Sequence, residues 1–480
     1  MGGTDEPREG GDERRFVRFL SANPRARRGA VLRGRLPVYL LIGLVVTVAL
    51  WGVLRGGTGG GDAGQNKVQG ARFTVPVANQ TPPRGAVDYA QLDARLQRLM
   101  EDRQMVGLAI GIVENGEIRF LKGYGVIRAG GSEPVTPSTV FRWASLSKGV
   151  AADLVVRLAA DGALSLSDPV ARWAGSVRLP GGTEHRVTVA DILAHTTGLF
   201  AHAEDPRLED GMDPRVLRAS MALLHNICAP GTCHSYQNVL YDASSEIVER
   251  VTGTPYGQVL RERFFTPLGM TGASSSRAEL MSAQSWARGH VGGNPQTFEI
   301  SESYYRVPAA GGVNGSIQDL AIWMLANMGL APDVLSPEIL RQVQTPRVNT
   351  PREDRRRRRF SERTTSTQYG LGWRVMDYAG HRVIGHHGGV RGYRSMILFD
   401  PAVRAGVVVL WNSATSRPNG IEYEVMDMVY RLPFRDWLRL DTPEDAPVEG
   451  AEETEAEERP EPRGRVSARI ETDGRRRPGR

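Results

Sequence analysis

Residues 141–162 read FRWASLSKGVAADLVVRLAADG. Val150, Leu154, Val155 and Leu158 recur at helical spacing, so the stretch predicts a helix opening near Ser145. Ser145 and Lys148 then stand one turn apart on one face, where the amine can reach the hydroxyl. A serine hydroxyl attacks poorly until a neighbouring base removes its proton. A buried lysine can act as that base, because lost hydration favours its neutral form while arginine keeps its charge. The chain otherwise avoids this residue: among 60 basic residues only Lys67, Lys122 and Lys148 are lysines. Lysine at 148 therefore implies chemistry that arginine cannot perform. The rival serine-enzyme signature, G-x-S-x-G, is absent from the sequence.

Upstream, residues Val87 to Arg103 form an amphipathic pattern with Leu92, Leu96, Leu99 and Met100 on one face. Val106 to Val113 and Glu117 to Gly123 read as a hairpin around Asn115-Gly116, a favoured two-residue turn. Downstream, a long helical and loop-rich middle runs from Ser145 to Met328. Strand-like runs return at Tyr369–Val375, Arg382–Gly385, Tyr393–Phe399 and Ala405–Trp411, and Ile421–Leu432 closes with a helix. Early and late strands separated by helices predict an α/β (α+β) fold. Its antiparallel sheet is assembled from N- and C-terminal segments, flanked by helices and interrupted by a large helical insertion.

The motifs ASLSK (144–148), DILAHTTGL (191–199), YQN (236–238), FFTPLGM (264–270), PAAGGVNGSIQDL (308–320), YGLGW (369–373) and GHHGG (385–389) stand in this order. With them the chain, over about residues 90 to 435, resembles the serine β-lactamase and penicillin-binding-protein superfamily, in particular its β-lactamase-related (class C-like) serine hydrolases. The resemblance implies a β-lactamase/transpeptidase-like fold and catalysis without a metal or other cofactor. It assigns Ser145 as the acylated nucleophile, with Lys148 and Tyr236 sharing the proton-accepting role. Asn238 would hold Lys148 or bind the substrate. His386 falls where many relatives carry the lysine of K-T-G, and Gly388 would leave room for substrate along the strand. The N–H groups of Ser145 and Gly389 would form the oxyanion hole. Histidine at 386 is a departure, since a neutral imidazole replaces a permanent cation. Esterase and D-aminopeptidase-like relatives share that form. Two histidines followed by glycines also fit a simple tight turn.

Other candidates read as structural. His195 in AHTTGL is expected to hydrogen-bond backbone. Asp242 and Glu246 lie one turn apart without partners that would complete a metal site. Arg355 to Arg359 reads as a solvated loop, with attraction to anionic surfaces as the alternative. Cys228 and Cys233, in CAPGTC, are the only cysteines; outside the cytoplasm they could close a small disulfide loop, and otherwise they are two thiols.

The chain has 480 residues, is 40% hydrophobic and 24% charged, and carries a net charge of only +6, a globular balance. Leu36 to Leu54 is a run of 19 uncharged, mainly apolar residues, enough as a helix to span roughly 28 Å. Arg25, Arg27, Arg28, Arg33 and Arg35 precede it and Arg55 follows, which predicts a cytoplasmic N-terminus. A cleaved signal peptide or a buried core helix are the alternatives. The expected organisation is a disordered cytoplasmic tail (1–35), a single-pass inner-membrane helix (36–54), a flexible linker (55–86), a periplasmic or extracytoplasmic hydrolase domain (87–440) and a disordered charged tail (441–480). The expected partners are the membrane and a small-molecule or peptide substrate, peptidoglycan fragments among the candidates, and not nucleic acid. The reaction expected is cleavage of an amide or ester, in a β-lactam, a D-amino-acid peptide or a simple ester. The competing expectation is a non-catalytic envelope protein that uses the same fold to bind wall peptide or to assemble.

Overall fold

The computed structural model describes residues 85–441. The expected cytoplasmic tail, the apolar run Leu36–Leu54, almost all of the linker and the charged tail beyond residue 441 lie outside the described residues. Among those described, no helix is long and apolar enough to cross a membrane.

Helix α1 (Tyr89–Leu99) opens at Asp88, whose carboxylate accepts the N–H groups of Ala90 and Gln91, both at 3.0 Å. That cap and a turn after Met100 make the helix shorter than its apolar pattern. Strands β1 (Gly107–Glu114) and β2 (Glu117–Gly125) follow as a hairpin. Asn115 (φ +53°) and Gly116 (φ +78°) both take the left-handed conformation that such a turn demands.

The middle of the chain supplies helices α2 (Ser147–Ala160), α3 (Ala243–Thr252), α4 (Ile317–Leu325) and α5 (Pro337–Gln344), with many shorter turns between. Strands β3 (Val348–Asn349), β4 (Thr364–Tyr369), β5 (Arg374–Tyr378), β6 (His381–Val390), β7 (Tyr393–Asp400) and β8 (Ala405–Trp411) complete the sheet before the terminal helix α6 (Ile421–Val429). The order across the sheet is β2-β1-β8-β7-β6-β5-β4-β3, and its pairings are antiparallel. The first and last strands are therefore neighbours in the sheet, with Ile110 opposite Val409. Alternation along the strands divides the core in two. Ile110, Ile112, Met396, Val407 and Val409 pack under α1 and α6, while Ala109, Ile397, Val408 and Leu410 face the helical insertion.

Three local expectations are corrected. Tyr369–Val375 is not one strand: β4 ends at Tyr369 and β5 begins at Arg374, with Gly370–Trp373 turning between them. Gly372 makes this turn at φ +72°, pressed so closely on α2 that a Cβ there would lie 2.6 Å from the Lys148 carbonyl oxygen. His386–Gly389 lies inside a ten-residue strand and not in a tight turn. The arginine run is only partly solvated. Arg357 reaches Met376 and Tyr423, and Arg359 donates to the Asn419 carbonyl at 2.6 Å.

Candidate active site

Four segments converge on the start of α2. Ser145 sits in the single turn Ala144–Leu146 that precedes the helix, immediately after Ala144 at φ +49°. A side-chain-bearing residue enters that region at a cost of roughly 1 kcal/mol or more, borne here because the surroundings fix it. Ser147 Oγ donates to Ala144 O at 2.7 Å and accepts Val313 N–H at 2.9 Å, tying the turn to the PAAGGVNG segment. Ser395, on β7, donates to Trp143 O at 2.7 Å and ties it to the sheet. The backbone of Ser145 is thus held from two sides.

Lys148 is completely buried. Its Nζ lies 3.4 Å from Ser145 Oγ, 2.6 Å from Asn238 Oδ1 and 2.9 Å from Ala310 O. The same three partners suit both charge states. A neutral amine has two N–H groups for the two carbonyl oxygens, leaving its lone pair for the serine. An ammonium ion donates to all three. Tyr236 and Tyr241 flank the amine, with ring centres 4.6 and 5.6 Å away. Ser145 and Tyr236 are nearly but not wholly buried, each about 6% exposed, so the group is not sealed from solvent.

Strand β6 forms the opposite wall. Residues His381–Gly385 pair with β5, but that pairing stops at Gly385 opposite Arg374. From His386 to Val390 the strand keeps its β7 partner, leaving a local sheet edge beside Ser145. Gly388 is the point of closest approach: a Cβ there would lie 2.6 Å from Trp143 O and 3.1 Å from Ser145 N. Only glycine permits this spacing. Gly389 faces the other side, toward Arg394.

His386 does not stand as a direct replacement for a substrate-facing lysine. It is about 1% exposed, and both ring nitrogens have protein partners. Nδ1 lies 2.6 Å from the His387 carbonyl oxygen, so it carries the proton. Nε2 then accepts from Arg374 at 2.9 Å and from Tyr369 at 3.0 Å. Burial, then the charges of Arg374 and Lys148, hold its pKa well below the ordinary histidine value. The permanent cation nearest this position is Arg374, whose guanidinium lies 5.7 Å from the Tyr236 ring. It forms a two-point ion pair with Glu353, at 2.6 and 3.0 Å. Burial opposes ionisation of Glu353, yet Arg374 outweighs it and brings the carboxyl down to about 2. Sequence reasoning missed Arg374 although it directly follows YGLGW; nothing marked Glu353 as its partner.

The remaining candidates resolve into scaffolding. His195 is fully buried, and its Nδ1 accepts Gln237 N–H at 3.2 Å while its carbonyl accepts Ser235 N–H at 2.8 Å. Burial, reinforced by neighbouring cations, keeps it neutral. Asp242 and Glu246 both face Arg218, at 3.0 and 3.4 Å. Asp242 also accepts Ala309 N–H at 3.0 Å, which fixes the segment presenting Ala310 O to Lys148. Cys228 and Cys233 are joined in a disulfide.

The family model described as Beta-lactamase matches residues 92–426. Among curated proteins, the chain is 27% identical over 368 residues to the unguisins hydrolase ungD' of Aspergillus campestris, covering 72% of this chain and 64% of that one. It is 32% identical over 226 residues to the esterase EstB of Burkholderia gladioli, covering 43% and 57%. The chain thus spans about three fifths of the length of these two relatives. Among solved structures, the octameric penicillin-binding protein homologue from Pyrococcus abyssi superposes with a TM-score of 0.65 at 24% identity, covering 74% of this chain and 80% of that one. With the ordered motifs, the matching fold and a family model spanning most of its length, this chain belongs to the Beta-lactamase family, within the serine β-lactamase and penicillin-binding-protein superfamily.

Proposed function

We propose that the chain is a serine hydrolase that opens an amide or ester through an acyl-enzyme on Ser145. The observation carrying this reading is the buried amine of Lys148, 3.4 Å from Ser145 Oγ and held by two carbonyl oxygens. In the first half-reaction Oγ bonds to the substrate carbonyl carbon as its proton passes to the neutral amine of Lys148. The resulting oxyanion lies at the Ser145 and Gly389 N–H groups. Collapse breaks the bond to the leaving group, which takes the proton back. Water repeats the sequence on the acyl-enzyme, releasing the acid and restoring Ser145.

Electrostatics favour a neutral acyl donor. A β-lactam or acyl-D-Ala peptide carries a carboxylate, and the strand position that meets it in many relatives holds a buried, neutral His386. The hydrolase and the esterase named among the relatives support hydrolysis of an ester or another acyl bond. The test is turnover of p-nitrophenyl esters and D-amino-acid anilides, with adduct mass after fluorophosphonate treatment. Wild type is expected to turn over and to be labelled on Ser145, while Ser145→Ala and Lys148→Arg lose at least about 10³-fold in kcat. Equal rates for wild type and Ser145→Ala would overturn the reading.

We also propose that Leu36–Leu54 anchors residues 87–440 outside the cytoplasm. The length of the apolar run and the arginines before it support this. In fractionated cells the chain should sediment with membranes and leave them only in detergent. Release by high salt alone would exclude an anchor.

A further inference from the structure

Behind Lys148 runs a second line of hydrogen bonds, made by a loop that no motif marks. Asn238 presents Oδ1 to Lys148 at 2.6 Å and donates from Nδ2 to Asp205 Oδ2 at 2.6 Å. The same carboxylate oxygen lies 2.8 Å from His202 Nδ1. Asp205 is about 6% exposed, and the His202 side chain about 17%. The line therefore starts at the nucleophile and ends at a partly exposed imidazole.

The backbone of this loop is constrained to hold the pair. His202 (φ +57°) and Glu204 (φ +69°) both occupy the left-handed region, which side-chain-bearing residues enter at a cost. His202 N–H donates to the Tyr236 carbonyl at 2.8 Å, and the Gln237 amide donates to the Phe200 carbonyl. The loop is thus fastened to the irregular segment that carries both Tyr236 and Asn238.

An amide has one accepting and one donating end, and Lys148 requires the accepting end. An ionised carboxylate can only accept, so Asp205 binds the NH₂ group of Asn238 and turns its oxygen toward the amine. The His202 Nδ1–H in turn fixes the carboxylate. We propose that Asp205 and His202 are positioning residues for Lys148: the carboxylate orients the Asn238 amide, the imidazole orients the carboxylate, and the negative charge stabilises the lysine cation formed when Ser145 loses its proton. This assignment rests on the serine-hydrolase reading above. Other ionisable groups around the line are Glu209, Asp210 and Tyr304 near the outer end, and His195 and His386 near Lys148.

The chain's three lysines allow a direct test. Full-length protein labelled with ¹³C-lysine should give three side-chain signals that can be titrated separately. In Asp205→Asn, which keeps the shape but removes the charge and the enforced amide orientation, the Lys148 signal should titrate at lower pH than in wild type. Lys67 and Lys122 should not move. For p-nitrophenyl butyrate, kcat should fall about 10- to 100-fold with KM within about twofold. His202→Gln should shift both readouts in the same direction by less. Should Asp205→Asn fail to fold, His202→Gln decides alone, because its side chain reaches solvent. An unmoved Lys148 titration and wild-type kcat would overturn the assignment. If wild type hydrolyses no faster than Ser145→Ala, the hydrolase reading fails instead, and the lysine titration still tells whether the Asp205 charge reaches Lys148.

Discussion

At the scale of single residues, the site shows how one position in a shared pattern can keep its place and change its chemistry. His386 occupies the strand position where a lysine is common, but its imidazole faces Arg374 and Tyr369 inside the protein. Arg374 already supplies a cation there, balanced by Glu353. Restoring lysine would place a second cation against the first with no added counterion. His386→Lys is therefore expected to lower stability by about 3 kcal/mol in urea denaturation and to gain no turnover of penicillins. A stable variant that hydrolyses penicillin would refute this account of the departure. Because His386 is held neutral, its ionisation should not appear in the pH profile of kcat/KM between pH 6 and 8.

At the scale of elements, the turn between β4 and β5 links the sheet to the start of α2. The sequence YGLGW looks like the start of a strand, yet Gly370 packs against the Val343 and Thr345 carbonyls at the end of α5 and Gly372 against α2. Gly372 N–H donates to Leu193 O at 2.9 Å, and Tyr241 OH donates to Lys148 O at 2.7 Å beside it. An alanine at 372 would add left-handed strain and a methyl group 2.7 Å from Ala152 Cβ. Gly372→Ala should lose roughly 2 to 4 kcal/mol by thermal or urea unfolding, and its residual folded fraction should show reduced kcat, because Lys148 moves with its backbone. Unchanged stability would mean that the turn is looser than its contacts indicate.

At the scale of the whole molecule, buried carboxyl groups couple stability to pH. Asp153, within α2, is fully buried and accepts Trp373 Nε1–H at 3.1 Å. Burial pushes its pKa up to about 8, only partly offset by the hydrogen bonds from Trp373 and Asn327. The folded protein therefore binds a proton here that the unfolded chain releases above about pH 4. Stability from this group is present at acid pH and is lost as pH rises from about 4 through 8. Glu353 works in the opposite sense, its contribution fading as pH falls from about 4.5 toward 2. Wild type should melt at a lower temperature at pH 8 than at pH 5.5, and Asp153→Asn should narrow that difference. An identical pH dependence in the variant would rule out Asp153 as its source.

Much of this arrangement follows from local sequence. Periodicity placed α1, α2 and the terminal helix, Asn115-Gly116 placed the first hairpin, and the spacing of Ser145 and Lys148 followed from one turn of helix. The order of motifs indicated the fold and drew Tyr236, Asn238 and the β6 glycines toward the same site. These features depend on neighbours a few residues apart, or on patterns that a chain carries linearly. Tertiary structure decided the rest. The break at Gly372, the pairing of β6 that ends at Gly385, the burial of His386 beneath Arg374 and the line from Asn238 through Asp205 to His202 each depend on groups distant in sequence. Whether a histidine is a neutral scaffold or a titrating ligand is set by what surrounds it in space, because desolvation and nearby charge, not identity, fix the proton's free energy.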